Sequence, residues 1–229
     1  MAGLKGTNVK RIGHNDLEYL EKTLKETKDQ YQTRLVIIDG VYSQDGDLSL
    51  LPEIISLCKT HEAMLMLDDA HGIGVMGANG KGTAEHFNCL GQVDIITGTF
   101  SKSFGCVGGF AAASKKIIQY LKFYADSNVF SAAPTPQVTA SILKALEIIK
   151  KEPAIRARLW ENTDYLRSRL TTEGFDIGKS VSPIFPIMIR DNKKVYEIAK
   201  MLQEKGIFTI GIVYPAVRTK EARLRVSVL

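Results

Sequence analysis

Apolar positions in this chain recur in two rhythms, one helical and one of short unbroken runs, and they alternate through the first two thirds of the sequence. Leu17, Leu20 and Leu24 form one helical stripe behind Asn15, whose Asn-x-x-Glu arrangement with Glu18 reads as a capping box. A helix ending near Lys28 is predicted. The continuous Leu-Val-Ile-Ile inside Arg34 to Asp39 predicts a fully buried strand, and Leu51 to His61, with Pro52 in its first turn, predicts the next helix. Further strands are expected at Ala63 to Asp68, Val93 to Thr97 and Gly109 to Ala113, and helices at Ser114 to Asp126 and Gln137 to Lys150. Strands separated by helices in this way imply crossover units and a mostly parallel sheet, an α/β architecture.

Pro153 interrupts the pattern. Ile155, Leu159, Leu166 and Leu170 then describe a long helix ending near Gly174. Beyond it the order changes to strand (Pro183 to Ile189), helix (Val195 to Lys205), strand (Ile207 to Val213) and strand (Leu224 to Val228), enough for a small α+β domain. The expected division is a large domain over 1–150 and a small C-terminal domain over 151–229. Neither repeats nor low-complexity segments are visible.

Composition narrows the class. With 229 residues, 45% hydrophobic and 24% charged, the chain has the make-up of a globular protein. It has no apolar stretch of membrane-spanning length, and Met1 to Lys10 lacks the apolar middle of a secretory signal, so a soluble, cytoplasmic protein is expected. Cys58, Cys89 and Cys106 are too few and scattered for a disulfide framework. The net charge of +5 is mild and dispersed, which gives a nucleic-acid partner little support.

The candidate chemistry follows the strands. Asp68-Asp69-Ala70-His71 stands at the carboxyl end of one predicted strand, and Thr99-Phe100-Ser101-Lys102-Ser103 stands just past the next. Pyridoxal phosphate requires this combination: a lysine amine to bond the cofactor aldehyde, small hydroxyls for the phosphate, and a carboxylate beside the pyridine nitrogen. Lys102, Asp68 and His71 are therefore the catalytic candidates, with Thr99, Ser101 and Ser43 as further cofactor contacts. A metal role for Asp68, Asp69 and His71, with His61 or His86, lacks a recognised ligand spacing, and no metal is expected. Gly72-Ile73-Gly74-Val75-Met76-Gly77 also fits a G-x-G-x-x-G dinucleotide fingerprint with Asp94 as the ribose acid, an oxidoreductase alternative that requires a helix to open at the third glycine. Arg223 and Arg225 alternate with Leu224 and Val226, so both guanidinium groups project from one strand face and suit a carboxylate.

Asp68 to Gly77, Gly98 to Phe104, Gly108-Gly109-Phe110, Phe130-Ser131, Ala222 to Arg225 and His14-Asn15-Asp16 together resemble the α-oxoamine synthase family over nearly the whole chain. The resemblance implies the aspartate aminotransferase-like fold type I of pyridoxal phosphate enzymes, in dimers with shared sites. It also implies an acyltransferase that condenses an amino acid with an acyl-CoA to give a 2-amino ketone. By the same resemblance Lys102 bonds the cofactor, Asp68 pairs with its ring nitrogen, and His71 and Ser43 contact its phenolic oxygen. Thr99 and Ser101 hold the phosphate, Ser131 reaches a neighbouring subunit's phosphate, and Arg225 anchors the substrate carboxylate. Family members are considerably longer, so a fragment with weak or no activity of its own is expected. An aminotransferase, a carbon–carbon lyase and a non-catalytic subunit remain the alternatives.

Overall fold

The computed structural model describes residues 7–229, which form two compact units: 7–40 with Ser49–Ile148, and Val41–Leu48 with Ile149–Leu229.

In the first unit, α1 (Leu17–Glu26), β1 (Leu35–Asp39), α2 (Leu51–Thr60) and β2 (Met64–Asp68) precede the four-residue α3 (Thr83–His86). β3 (Ile95–Thr99), β4 (Gly109–Ala113), α4 (Lys115–Tyr124), the short α5 (Asp126–Val129) and α6 (Pro136–Lys151) follow. The strands form one sheet in the order β1-β2-β3-β4, parallel across the first two pairs and antiparallel between β3 and β4. One sheet face supplies Val36, Ile38, Leu65, Leu67 and Ile96, which pack with Leu20 and Leu24 of α1 and Leu51, Ile54, Ile55 and Cys58 of α2. Leu67 is fully buried, and truncating it to alanine should cost about 2–5 kcal/mol.

Several local expectations need correction. The cap of α1 is Asp16, which accepts the amide of Tyr19 at 2.9 Å; Asn15 sits in the left-handed region with φ 52° and its side chain instead accepts the amide of Leu50. β1 is not buried on both faces, since Leu35 and Ile37 remain 43% and 48% exposed while their neighbours Val36 and Ile38 turn to the core. β3 lies two residues later than the apolar run implies, because Gly98 and Thr99 pair with Phe110 and Gly109 of β4.

In the second unit, α7 (Pro153–Thr172), β5 (Ile184–Met188), α8 (Asn192–Glu204), β6 (Ile210–Ile212) and β7 (Arg223–Ser227) follow one another. Their strands form an antiparallel sheet, β5-β7-β6. Val195 of α8 packs with Ala222 and Leu224, all three buried. The segment Val41–Leu48 belongs to this unit; Val181 and Ser182 both donate to the carbonyl of Gly46 at 3.1 Å.

Candidate active site

Parallel strands bring their carboxyl ends to one edge, where loops supply groups to a ligand. Register does this here with acidic and hydroxyl residues. Asp39, Asp68 and Thr97 are mutual partners across β1, β2 and β3, so their side chains emerge in a row on one face. Asp68 is half-buried; its Oδ1 accepts the amide of Ala70 at 3.1 Å, and its other oxygen has no hydrogen bond among the described residues. Asp39 was not among the sequence candidates. Burial raises its pKa above the ordinary carboxylate value, the neighbouring charge of Asp68 raises it further, and the ammonium of Lys102 opposes both, so all three groups lie within electrostatic reach of one another. The signal for it was its place in the Leu35, Ile37, Asp39 alternation, once β1 is paired with β2.

Lys102 lies in the loop leaving β3. Phe100 and Gly108 close that loop through a 2.9 Å amide–carbonyl bond, and Cys106 donates to the carbonyl of Phe100 at 2.7 Å. Gly105 and Gly108 take φ 60° and 107°, backbone that a side chain would strain. The hydroxyl of Ser103 donates to the carbonyl of Ile73 at 2.7 Å, tying this loop to the one that follows Asp68. The amine of Lys102 is exposed and forms neither hydrogen bond nor ion pair among the described residues. Beside it the hydroxyls of Thr99 and Ser101 stand 2.7 Å apart, and the amide of Ser101 donates to the Thr99 hydroxyl at 3.1 Å. His71, half-buried, occupies the turn in which Gly72 and Ile73 donate to the carbonyl of Asp69.

The glycine run Gly72 to Gly77 does not open a helix. Gly74 donates to the carbonyl of Gly80 and Gly82 to that of Met76, which closes a compact loop, and α3 begins only at Thr83. Asp94 precedes β3 and accepts the amide of Leu65 at 2.8 Å. The geometry of a dinucleotide fingerprint is therefore lacking at this loop.

In the second unit, Arg223 and Arg225 differ sharply. The Arg223 side chain is 5% exposed, pairs with Asp45 at 2.5 Å and donates to the carbonyls of Gln44 and Glu221. Arg225 donates only through Nε, to the carbonyl of Ser43 at 2.6 Å, and burial pushes its pKa down. Its two terminal nitrogens have no partner among the described residues. The expectation that both arginines offer a fork is corrected: Arg223 is consumed by structure. Ser131 is exposed on the bend between α5 and α6 and has no hydrogen bond among the described residues. At the opposite, amino end of β2 and β3 a pocket of about 330 Å³ is lined by Cys58, Lys59 and Asp94 among others. Two of its polar side chains are already engaged, Lys59 with Gln92 and Asp94 with Leu65. Burial, aided by Asp94, pushes the Cys58 thiol up to about 11, which makes it inert.

A mostly parallel sheet with a lysine, a carboxylate and paired hydroxyls at its carboxyl edge defines a class. The chain belongs to the aminotransferase class I and II family, whose model matches residues 1–229. More particularly, it is 44% identical over 226 residues to a serine palmitoyltransferase of Sphingobacterium spiritivorum, an alignment covering 99% of this chain and 56% of that protein. To an 8-amino-7-oxononanoate synthase of Petrotoga mobilis it is 46% identical over 229 residues, covering 99% of this chain and 58% of that protein. A solved structure described as SPT with PLP internal aldimine matches with a TM-score of 0.89 and 32% identity over 94% of this chain and 54% of that one. The chain thus spans a little over half the length of the curated relatives it matches. These likenesses bear out the resemblance to α-oxoamine synthases and the α/β fold expected with it. No helix among the described residues is long and apolar enough to cross a membrane.

Proposed function

We propose that this chain carries the cofactor site of a pyridoxal phosphate-dependent acyltransferase that condenses an amino acid with an acyl-CoA. One observation supports the reading above the others: Lys102, Asp68 and the Thr99–Ser101 hydroxyl pair share one sheet edge, with the Lys102 amine and one Asp68 oxygen uncommitted among the described residues. The donor set fits the group. An unpaired amine suits an aldehyde, a carboxylate with one uncommitted oxygen suits a protonated ring nitrogen, and two hydroxyls suit phosphate oxygens. Pyridoxal phosphate, when bound, supplies an electron sink for the carbanion formed at an amino acid's α-carbon.

The chain's own residues hold and orient. Lys102 would bond the cofactor's aldehyde, and its amine is the group placed to move the α-proton. Asp68 keeps the ring nitrogen protonated, and Asp39 beside it adds negative charge to the same edge when ionised. His71 and Ser43 are assigned to the phenolic oxygen, Thr99 and Ser101 to the phosphate, and Ser131 to the phosphate of a second subunit in a homodimer. The free guanidinium edge of Arg225 takes the substrate carboxylate in a forked pair.

The test is release of free thiol from an acyl-CoA by the intact protein supplied with pyridoxal phosphate and glycine, alanine or serine in turn. Amino-acid-dependent thiol release is the expected result. A protein that binds the cofactor and exchanges amino groups without touching the thioester would be an aminotransferase, the reading that the breadth of the family keeps open.

A further inference from the structure

Asp69 is the member of the Asp68–His71 loop that does not reach the ligand edge. Its side chain is only 1% exposed, yet no cation among the described residues pairs with it. Both oxygens are taken up by one residue: Oδ2 accepts the amide of Thr83 at 2.7 Å and Oδ1 accepts its hydroxyl at 2.6 Å. Burying a carboxylate in this way is costly, and an apolar side chain would fill the space at less expense. Burial accordingly raises its pKa, while the two Thr83 bonds pull it back.

The space around this carboxylate is made of glycine. A β-carbon at Gly40 would stand 2.5 Å from Oδ1, one at Gly72 2.0 Å from Oδ1, and one at Gly82 1.9 Å from Oδ2. The backbone of Asp69 adds three further ties, from its amide to the carbonyl of Thr97 at 2.8 Å and from the amides of Gly72 and Ile73 to its carbonyl at 3.0 Å each. Gly40 follows Asp39, Gly72 follows His71, and Thr97 closes the row begun by Asp39 and Asp68. By side chain and backbone together, Asp69 is therefore packed against the segments that deliver Asp39, Asp68, His71 and Thr97 to the edge.

We propose that Asp69 is a positioning residue of the cofactor site. Clamped by Thr83 inside the Gly40, Gly72 and Gly82 pocket, it sets the placement of Asp68 and His71, and no ligand contacts it directly. The inference rests on the reading of Lys102 and Asp68 given above.

The experiment uses the intact protein, pyridoxal 5'-phosphate as the probe, and three variants. Thr83→Val keeps the shape and removes the hydroxyl donor, Thr83→Ser restores it, and Gly72→Ala drives a methyl at the carboxylate while leaving its donors in place. Cofactor affinity and the circular dichroism induced in the bound cofactor, which reports ring orientation, are measured beside the thermal midpoint of the cofactor-free protein. Thr83→Val and Gly72→Ala should each weaken cofactor binding about tenfold to a hundredfold and change the induced dichroism, with Thr83→Ser close to wild type. If both damaged variants lose thermal stability but bind the cofactor with unchanged affinity and dichroism, Asp69 serves the fold alone and the proposal fails. Wild-type protein that binds no cofactor would instead overturn the site reading itself, and this inference with it.

Discussion

The two sheets of this molecule place chemistry in opposite ways. Along the β1-β2-β3 edge the strands run parallel, so residues separated by tens of positions (Asp39, Asp68, Thr97, and Lys102 just beyond) arrive together as strand ends. In the β5-β7-β6 sheet the strands alternate in direction, and its candidate ligand group, Arg225, sits mid-strand opposite Pro186 and Ile210. A parallel edge assembles a site from loops. An antiparallel face can offer only side chains that its own packing has not consumed, and Arg223 shows how readily packing consumes them.

That contrast can be broken in a defined order. The largest effect belongs to the parallel edge: Asp68→Asn should lower kcat by about 10²–10³ with the thermal midpoint nearly unchanged, because a charge directed at the cofactor is lost while the Ala70 bond can persist. Equal loss of kcat from Asp69→Asn without loss of stability would blur the distinction between ligand-facing and buried carboxylates. Next, Arg225→Ala should raise KM for the amino acid about tenfold to a hundredfold. Arg223→Ala should do the reverse, lowering stability by roughly 1–3 kcal/mol in denaturant unfolding through loss of its bonds to Asp45, Gln44 and Glu221. Identical behaviour of the two arginines would remove the distinction between spent and available groups.

The smallest effect is at Asp39. Its folded pKa is raised by burial first and by Asp68 second, so its favourable contribution is complete below the unfolded carboxylate pKa and is lost as pH rises through the folded value. Asp39→Asn should therefore be slightly more stable than wild type on the alkaline side of that window, by less than about 1 kcal/mol at this partly exposed position, and converge with it in acid. Stability curves measured from acid to neutral pH check the sign. Asp176 provides the opposite slope in the second unit: the Arg190 guanidinium, then the Gly178 amide, hold its carboxyl below the usual range. Its contribution is present above the unfolded pKa and is lost as pH falls through the folded one.

Much of the fold was legible because unbroken apolar runs and helical stripes mark single elements. Four cases show where that reading stops. Asn15 and Asp16 are both good caps, and only the backbone conformation selects Asp16. α3 and α5 span four residues each, too short for periodicity to appear. Gly98 and Thr99 extend β3 through pairing with β4, a partner that the run itself does not reveal. Arg223 and Arg225 look equivalent in sequence because the residue that separates them, Asp45, lies 178 positions away. The site was legible in its motifs, Asp68 to His71 and Thr99 to Lys102. Asp39 stayed hidden because its meaning comes from register, and Asp69 because its partners, Thr83 and three glycines, are scattered from Gly40 to Thr83 with all of α2 and β2 between them.

The central claim is that the amine of Lys102 bonds an aldehyde cofactor held at the edge that bears Asp68. Incubating the intact protein with pyridoxal 5'-phosphate, reducing with borohydride and mapping the modified peptide by mass spectrometry tests it directly. A single stoichiometric label at Lys102, lost in Lys102→Ala and diminished in Asp68→Asn, is the predicted result. Label scattered over the surface lysines, or undiminished when Lys102 is removed, would contradict it.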